Sequence, residues 1–454
     1  MQYDISELLK KGGRIHFVGI GGSGMFPIVQ ILHSLGHEIS GSDVNEGSII
    51  DMERQMGIPV YMQHDPKNVD GASMLVVTAA LFADNPEVLR ANELNIPVIP
   101  RADMFGYITT LYSNSLCVSG THGKTTTTCM LTSIMIKAGK DPSALIGGKL
   151  PLIKGYGRVG SSDVFVCEAC EFKDTFLHLS PSYSIILNID DDHLDYFGTI
   201  ENSMRSFLQF ANNASTAVIA NIDDANTVKA LSSCDKRIIY YGADDKADYR
   251  IVNVEKYERA FHQFELVHNN EIIGPFKLKV PGKHNVWNAA AAISCALDCG
   301  CDIASIHEGL ESFSGAGRRF EILGTFDGVT VADDYAHHPT EIAVTLQAAQ
   351  SMGYNRVIAV FQPFTYSRTY LLLDDFVKAL SFADIVVMTE IMGSREKNTY
   401  NIYTSDLAEK IPGSVWFNTF EEVVNHVKTI AQDGDLVLTL GCGDIYKAAH
   451  MMLE

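Results

Sequence analysis

The chain alternates short apolar runs rich in β-branched residues with longer helix-like stretches, and this alternation constrains its fold more than any other feature. The runs are apolar almost throughout, as expected for strands that are covered on both faces. The pattern predicts parallel sheets joined by crossover helices. The clearest predicted strands lie at residues 15–18, 74–78, 116–118, 164–167, 185–189, 329–332, 357–361, 385–389 and 436–440.

One region departs from this pattern. Between residues 237 and 280, apolar and polar residues alternate, as in residues 249–254 (Tyr-Arg-Ile-Val-Asn-Val). Alternation of this kind is typical of strands with one solvated face, and residues 268–271 (His-Asn-Asn-Glu) form a plausible turn. We therefore predict that antiparallel strands end the middle part of the chain.

Length and local composition suggest three domains. At about 150 residues per domain, the 454 residues correspond to about three α/β units. Polar residues 112–115 (Tyr-Ser-Asn-Ser) and glycine-containing residues 314–317 (Ser-Gly-Ala-Gly) are candidate boundaries. We expect domains at residues 1–112, 113–315 and 316–454.

Charge and composition exclude several classes of function. The net charge is −20 and no basic run occurs, which argues against nucleic-acid binding. No apolar run approaches the roughly 18 residues of a membrane span, and the N-terminal segment lacks the features of a signal peptide. The nine cysteines, with a lone Cys167-x-x-Cys170 pair, favour free thiols over disulfides or a zinc site. We therefore expect a cytoplasmic protein.

The strongest motif is a glycine loop at residues 120–125 (Gly-Thr-His-Gly-Lys-Thr), directly after a predicted strand and before a helix-like stretch. Glycines allow backbone N–H groups to surround phosphate oxygens, and the helix N-terminus adds partial positive charge. Lys124 would reach the β- and γ-phosphates, and the Thr125 hydroxyl would bind Mg²⁺. The alternative is an ordinary glycine turn with a surface lysine, but the strand and helix around the loop favour nucleotide binding.

A second glycine loop, residues 19–24 (Gly-Ile-Gly-Gly-Ser-Gly), follows the first predicted strand. It resembles a dinucleotide-binding turn, and Asp43 lies about 19 residues further on, where a ribose-binding acid could sit. The alternative is a tight strand–helix turn without a ligand. Two phosphate loops in one chain suggest two phosphorylated ligands.

Acidic residues and a histidine follow two further predicted strands. Glu168 ends one strand, and residues 190–195 (Asp-Asp-Asp-His-Leu-Asp) follow the next. Carboxylates at the carboxyl edge of a parallel sheet suit a metal ion, and His193 could add a ligand. A solvated acidic loop is the alternative, and the nearby phosphate loop makes a metal site the preferred interpretation.

Two motifs in the last third of the chain are also site candidates. Residues 333–339 (Asp-Asp-Tyr-Ala-His-His-Pro) follow a strand, in a position where loops carry function. A helix N-cap near Thr340 is an alternative that is compatible with a site. Arg318 and Arg319 follow a glycine-rich segment and could contact phosphate or form a structural ion pair.

Taken together, these motifs resemble those of the Mur ligases, the amide-forming enzymes of bacterial cell-wall precursor synthesis. Residues 120–127 are similar to their ATP loop, residues 188–195 to a metal motif, and residues 281–288 (Pro-Gly-Lys-His-Asn-Val-Trp-Asn) to an adenine-contact stretch. Residues 16–25 and 333–342 match further motifs of the family. The motifs occur in family order through most of the chain.

The resemblance implies a Rossmann-like UDP-sugar-binding domain, a P-loop ATP-binding domain with an antiparallel addition, and a Rossmann-like amino-acid-binding domain. The ATP-binding residues implied are Gly120, Thr121, Gly123, Lys124, Thr125, Thr126, Asn285, Asn288, Arg319 and Asp334. Those implied for the UDP sugar are Gly19, Gly21, Gly22, Ser23, Gly24, Asp43, His122 and Tyr335. Thr125, Glu168 and His193 would serve two Mg²⁺ ions, and the catalytic residues would be Lys124, His337 and Arg368.

Three departures from the family pattern are evident. Phe364 and Thr365 replace a histidine and an arginine that the family often has, whereas Arg368 remains. The acidic loop reads Glu-Ala-Cys-Glu-Phe-Lys at residues 168–173 and keeps the glutamate at its start. No lysine occurs between His193 and Val228, so the carbamylated lysine of related ligases is not expected.

The implied reaction joins L-alanine to the muramoyl carboxylate of UDP-N-acetylmuramate through an acyl phosphate, with ATP as co-substrate, in a monomer or homodimer. His337 is a candidate base, because the ordinary pKa of histidine, about 6.5, suits proton transfer. One alternative is a ligase that attaches a recycled murein peptide to the same nucleotide sugar. A nicotinamide dehydrogenase and a nucleotide-dependent binding protein without catalysis are alternatives of other classes.

Overall fold

We describe the protein from a computed structural model, whose described residues are 3–78, 81, 84–394 and 396–454. Six positions of the expected first domain, residues 1, 2, 79, 80, 82 and 83, and residue 395 of the expected third lie outside the described residues. The chain forms two compact units: Met1–Tyr249 with Ala291–Gly309, and Arg250–Ala290 with Leu310–Glu454. The predicted α/β class is confirmed.

The N-terminal part of the first unit is a parallel sheet with the strand order β3-β2-β1-β4-β5. Its strands are β1 (Arg14–Val18), β2 (Ile39–Ser42), β3 (Val60–Tyr61), β4 (Ala72–Val77) and β5 (Val98–Pro100). The helices are α1 (Ile5–Lys11), α2 (Phe26–Ser34), α3 (Ser48–Gln55), α4 (Pro86–Glu93) and α5 (Arg101–Thr110), with a 3₁₀ turn at Pro66–Val69. Parallel strands end at the same edge, so the loops after β1 and β2 are neighbours.

The middle part of the first unit contains strands in the order β12-β11-β10-β6-β9-β7-β8. They are β6 (Asn114–Ser119), β7 (Ser143–Leu150), β8 (Gly155–Arg158), β9 (Val164–Glu168), β10 (Tyr183–Ile186), β11 (Ala217–Asn221) and β12 (Ile238–Gly242). All neighbours are parallel except β7 and β8. The helices are α6 (Lys124–Lys137), α7 (Leu194–Phe197), α8 (Ile200–Asn212) and α9 (Ala225–Leu231), with 3₁₀ turns at Pro151–Ile153 and Phe172–His178.

The second unit begins with an antiparallel meander of β13 (Tyr249–Glu258), β14 (Phe261–His268) and β15 (Glu271–Lys277). Asn269 and Asn270, with φ of 51° and 66°, form the predicted turn, since asparagine tolerates the left-handed conformation that tight hairpins require. The prediction of antiparallel pairing from residue 237 onward is wrong for β12, which runs parallel to β11. Helices α10 (His284–Asp298) and α11 (Ile303–Ser312) each contribute to both units.

The C-terminal sheet has the order β16-β17-β21-β18-β19-β20 and is parallel except for its β16–β17 hairpin. Its strands are β16 (Glu321–Phe326), β17 (Val329–Asp334), β18 (Val357–Phe361), β19 (Ile385–Thr389), β20 (Val415–Phe417) and β21 (Leu436–Leu440). The helices are α12 (Pro339–Gln350), α13 (Tyr366–Leu371), α14 (Leu373–Leu380), α15 (Thr404–Ala408), α16 (Phe420–Ile430) and α17 (Tyr446–Leu453). The last strand, β21, thus lies at the centre of the sheet.

Both faces of this sheet are covered, as the apolar runs predict. Along β18, Val360 packs into one cluster with Val427, and Phe361 packs into a second cluster with Phe376. Alternate residues of one strand therefore enter two different cores, which explains why the strand is apolar at every position. All nine runs predicted from the sequence overlap strands of the structure, although β4 ends at Val77 rather than residue 78 and β10 ends at Ile186 rather than residue 189.

Candidate active site

The glycine loop at residues 120–125 connects β6 to α6 at the carboxyl edge of the middle sheet. Gly120 and Gly123 have φ of 139° and 87°, conformations that residues with a side chain rarely adopt. A Cβ at Gly120 would lie 2.9 Å from Leu187 Cβ, so this position also lacks room for a side chain. The loop therefore depends on glycine for its shape, as a phosphate-binding loop does.

Backbone and side-chain hydrogen bonds tie this loop to the segment after β10. The N–H of Thr121 donates to the carbonyl of Asn188 over 3.0 Å, and the N–H of His122 donates to the Asn188 side-chain oxygen over 2.8 Å. The N–H of Asp190 donates to Thr121 Oγ1 over 2.9 Å, and His122 Nε2 lies 3.1 Å from Asp190 Oδ2. The glycine loop and the acidic motif after β10, which are distant in the sequence, are therefore hydrogen-bonded to each other.

Lys124 is the first residue of α6, and its side chain folds back over the loop. Its Nζ donates to the carbonyls of Gly120 and Thr121 over 2.5 and 3.0 Å. It also lies 3.0 and 2.9 Å from the two carboxylate oxygens of Glu171. Burial is the largest single influence and acts to lower the pKa of Lys124, but the negative charges of Glu171, Cys170 and Glu168 and the hydrogen bond to Glu171 together outweigh it, so the pKa is raised and the ammonium stays charged.

Two of the expected metal ligands, Thr125 and Glu168, are hydrogen-bonded to each other. The Thr125 hydroxyl donates to Glu168 Oε2 over 2.8 Å, and the N–H of Gly147 donates to the same oxygen over 3.0 Å. These are hard oxygen donors at the start of α6 and the end of β9, and oxygen donors are what Mg²⁺ prefers. The residues present therefore fit a magnesium site.

His193 lies in the loop after β10, where its φ of 55° is held by local contacts. Its N–H donates to Asp192 Oδ1 over 2.7 Å, and its ring packs on Phe172 with 4.6 Å between ring centres. Because β10 and β9 both neighbour β6, the loops that carry His193, Glu168 and the glycine loop leave the same edge of the sheet. Phe172, which packs on this histidine, was not predicted from the sequence.

The first glycine loop lies between β1 and α2, beside a cavity of about 310 Å³ lined by Gly21, Gly22, Asp43 and the segment 45–50. Asp43 Oδ2 accepts from the Gly21 N–H over 2.9 Å. Asp43 Oδ1 accepts from the N–H groups of Val44 and Asn45 over 2.8 and 3.0 Å. Asp43 thus fixes both loops that border the cavity. Gly19, Ser23 and Gly24 belong to the same turn.

The second unit holds the remaining predicted residues. Asp334, at the end of β17, is 6% exposed and accepts from the N–H groups of Phe320 and Ala336, each over 2.7 Å. Burial raises its pKa to about 6, against the opposing effect of Arg319. The Arg319 guanidinium lies 5.2 Å from the centre of the Tyr335 ring. These three residues form one cluster.

Arg318 also lies against the Tyr335 ring, with its guanidinium 5.0 Å from the ring centre. Arg318 Nε donates to Asp333 Oδ2 over 2.8 Å, and one of its terminal nitrogens donates to the Gly441 carbonyl over 2.7 Å. Arg318 therefore holds the structural ion pair that the sequence analysis considered for this motif.

His337 follows β17 and is oriented by two acceptors. Its Nδ1 lies 3.1 Å from the Tyr335 carbonyl and 3.3 Å from Glu341 Oε2. Two acceptors at Nδ1 place the proton of the neutral ring there and leave the Nε2 lone pair available. The ring also lies edge-on to Phe364, 6.3 Å between centres. Sequence reasoning missed Glu341 as a partner, although its position four residues after His337 was a signal.

Arg368 lies on α13, a short helix that begins directly after Thr365. Thr365 Oγ1 accepts from the Arg368 N–H over 3.4 Å and so caps this helix. The threonine that departs from the family pattern therefore stabilises the helix that carries the retained arginine.

Asn285 and Asn288 lie in the first turns of α10 and are 6% and 7% exposed. Asn285 Nδ2 donates to the Pro281 carbonyl over 2.8 Å, and Asn288 Nδ2 donates to Asn285 Oδ1 over 2.9 Å. The two amides are thus linked to each other.

All nine cysteines are free thiols. Cys167 is fully buried on β9, with its sulfur 3.4 Å from that of Cys117 on β6. Burial, followed by the charge of Glu171, raises the pKa of Cys170 to about 11. Among the described residues, no helix is long and apolar enough to cross a membrane.

Comparison with known proteins identifies three matching family domains. Residues 14–112 match the catalytic domain of the Mur ligase family, residues 118–296 the Mur ligase middle domain, and residues 318–443 the glutamate ligase domain of Mur ligases.

Curated relatives match along the whole chain. A UDP-N-acetylmuramate–L-alanine ligase of Caldanaerobacter subterraneus is 42% identical over 452 residues, 98% of each chain. A protein of the same name from Acetivibrio thermocellus is 43% identical over 447 residues, 97% of this chain and 95% of the relative.

Solved structures of ligases also match nearly the whole chain. The UDP-N-acetylmuramate–alanine ligase MurC of Thermotoga maritima is 30% identical, with a TM-score of 0.83 over 97% of this chain and 98% of that one. A murein peptide ligase from Psychrobacter arcticus has a TM-score of 0.76 over 97% and 98% of the two chains; its 22% identity shows the shared fold alone.

Proposed function

The chain belongs to the Mur ligase family, and on this basis we propose that it joins L-alanine to the muramoyl carboxylate of UDP-N-acetylmuramate. It is an ATP-dependent, amide-forming ligase of peptidoglycan precursor synthesis. The observation that carries this conclusion is the 42% identity with a ligase of that name over 98% of both chains. The glycine loop, with the Lys124 ammonium over it, supports the use of ATP.

The proposed reaction has two steps. An oxygen of the muramoyl carboxylate attacks the γ-phosphorus of ATP, the bond to ADP breaks, and an acyl phosphate forms. The neutral amine of L-alanine then attacks the acyl carbon, the C–O bond to phosphate breaks, and the amide remains. Lys124 binds the β- and γ-phosphates, and its charge offsets the charge that develops during transfer.

A base must take the proton that the ammonium group of L-alanine loses to become the neutral, attacking amine. We assign this role to His337 Nε2, because Nδ1 is directed to the Tyr335 carbonyl and Glu341. Arg368 is assigned to the carboxylates of the substrates, and Tyr335 to the nucleotide sugar.

The remaining site assignments are proposals of the same kind. Thr125, Glu168 and His193 would hold two Mg²⁺ ions, which when bound neutralise phosphate charge. Adenine is assigned to Asn285 and Asn288, the ribose to Asp334, and the ATP phosphates to Arg319 and to Gly120, Thr121, Gly123 and Thr126 with Lys124. The UDP sugar is assigned to Asp43, His122 and the loop of Gly19, Gly21, Gly22, Ser23 and Gly24.

We assign UDP-sugar binding to residues 1–112, ATP binding to residues 113–315 and L-alanine binding to residues 316–454. We further propose that the enzyme acts in the cytoplasm as a monomer or homodimer. Size-exclusion chromatography with light scattering distinguishes the two oligomeric states.

The proposed function is tested by phosphate release with ATP, Mg²⁺ and UDP-N-acetylmuramate, comparing L-alanine with a recycled murein tripeptide. We expect release that requires L-alanine. Release with the tripeptide alone would make the protein a recycling ligase, and release with neither acceptor would make it a binding protein. NADH fluorescence provides a control. A dehydrogenase would bind NADH and change its fluorescence, whereas the ligase would leave the fluorescence unchanged.

A further inference from the structure

Glu171 is a buried carboxylate that the proposed mechanism does not use. It lies between the end of β9 and the 3₁₀ turn at Phe172–His178, three residues after Glu168. Its side chain is 3% exposed. A carboxylate removed from water is costly unless it is paired, and the partner of Glu171 is the Lys124 ammonium.

The contacts of the lysine define its position. An ammonium has three N–H donors. The carbonyls of Gly120 and Thr121 take two of them, and Glu171 lies 3.0 and 2.9 Å from the nitrogen with its two oxygens. The carbonyls belong to the loop itself and carry no net charge. Glu171 adds a counter-charge from a separate segment, 47 residues further along the chain.

Charge-assisted contacts also limit the motion of the lysine. The Lys124 side chain has four rotatable bonds and is only 14% exposed. Without Glu171, only the two uncharged loop carbonyls would hold its ammonium. The neighbouring carboxylate, Glu168, instead bonds the Thr125 hydroxyl and the Gly147 N–H. The two acidic residues therefore contact different partners: Glu171 pairs with the lysine, and Glu168 accepts from the neighbouring threonine.

We propose that Glu171 is a positioning residue, which holds the Lys124 ammonium over the glycine loop where the β- and γ-phosphates of ATP bind. This inference rests on the proposed use of ATP and extends it to a residue that contacts no reacting atom. Glu171 acts through Lys124, and its loss should therefore affect ATP more than the other two substrates.

The test compares Glu171→Ala, Glu171→Gln and Glu171→Asp by steady-state phosphate release and by binding of a fluorescent ATP analogue. For Glu171→Ala we expect the apparent KM for ATP to rise about ten- to a hundredfold, the effect of losing a charge-assisted contact. The KM values for UDP-N-acetylmuramate and L-alanine should stay within about twofold. Glu171→Gln keeps a hydrogen-bond acceptor and Glu171→Asp keeps the negative charge. Both variants should therefore raise the KM for ATP less than Glu171→Ala does.

Glu201→Ala is a matched control in the same unit. Glu201 pairs with Lys229 over 3.8 Å, but the two side chains are 60% and 66% exposed, so kinetics should not change. Thermal unfolding of every variant identifies loss of the fold, and the Gln and Asp variants test the proposal if the alanine variant does not fold.

Three results would overturn the proposal. Unchanged ATP kinetics in folded Glu171→Ala would show that the contact has no role in positioning. Tighter binding of the ATP analogue in both neutral variants would show that the carboxylate only repels phosphate. An equal loss for all three substrates would indicate a structural role. If the wild-type enzyme releases no phosphate, the proposed function fails, while analogue binding still tests Glu171.

Discussion

The Thr125 hydroxyl donates to a carboxylate oxygen of Glu168 over 2.8 Å. Thr125 lies in the first turn of the helix after the glycine loop and Glu168 ends a neighbouring strand, so two expected metal ligands from distant parts of the sequence are in contact. Two oxygen atoms this close can coordinate the same small cation. The cation would then take the place of the hydroxyl proton between them.

Magnesium dependence tests this arrangement. Glu168→Gln should raise the Mg²⁺ concentration for half-maximal phosphate release by about tenfold or more, because a neutral amide binds a hard cation less well. EDTA should abolish wild-type activity, and added Mg²⁺ should restore it. The remote Glu201→Ala variant should titrate like wild type. An unchanged Mg²⁺ titration in Glu168→Gln would remove this residue from the metal site.

Removal of the loop lysine should abolish turnover. Lys124→Ala should lower kcat by about a thousandfold or more, because it removes the positive charge assigned to the phosphates. Circular dichroism should show that the fold is intact. Activity close to wild type in this variant would refute the assignment of the ATP loop.

Asp43 should affect the nucleotide sugar selectively. Asp43→Ala removes the acceptor for three backbone N–H groups that shape the first glycine loop and the segment after β2. We expect the KM for UDP-N-acetylmuramate to rise about tenfold, while the KM for ATP is unchanged. An increase in the KM for ATP alone would place the nucleotide sugar elsewhere.

His337 gives a prediction about pH. His337→Ala should lower kcat at pH 7.5 by about a hundredfold, the usual effect of losing a general base. The loss should shrink as the pH rises, because the L-alanine amine then loses its proton to solvent before it reacts. A loss of constant size from pH 7 to 9.5 would indicate that His337 only positions the substrate.

Glu53 should make stability depend on pH. This residue of α3 is fully buried, and burial followed by the charge of Asp43 raises its pKa from 4.5 to about 9. Between these values the folded chain keeps a proton that the unfolded chain releases, so stability falls as pH rises, by up to roughly 1.4 kcal/mol per pH unit. Glu53→Gln should lose this dependence.

Thermal unfolding at pH 5 and pH 8.5 measures the effect. The melting temperature of Glu53→Gln relative to wild type should be higher at pH 8.5 than at pH 5. The cost of burying the amide is the same at both pH values and therefore cancels from this comparison. An equal difference at both values would show that Glu53 is ionised in the folded protein.

The sequence predicted strands that are buried on both faces, because such strands are apolar throughout. It did not predict β2, β3, β5, β7, β8, β11, β16 or β20. Strands β3 and β20 have only two and three residues and β8 contains two glycines, but β11 is a buried apolar strand that was missed. The direction of β12 was wrong because alternation of apolar and polar residues reports how a strand is buried, not which way its neighbour runs.

Candidate site residues could be proposed from the sequence where they form local motifs. The glycine loop and the acidic segment after β10 could each be identified from consecutive residues. The pairing of Lys124 with Glu171 joins positions 47 residues apart and leaves no pattern in one sequence. Likewise, the contacts of Arg318 with Asp333 and Gly441 could not be predicted from the sequence around the arginine.

The place of β21 in the C-terminal sheet has a consequence for biosynthesis. This strand, Leu436–Leu440, pairs with both β17 and β18. As the chain leaves the ribosome, β17 and β18 emerge without the strand that joins them, and the edges that pair with β21 remain unpaired until residue 440 has been made. Since pairing over such distances is slow, this sheet can close only after residue 440 has been made, and until then its open strand edges are exposed to association with other chains.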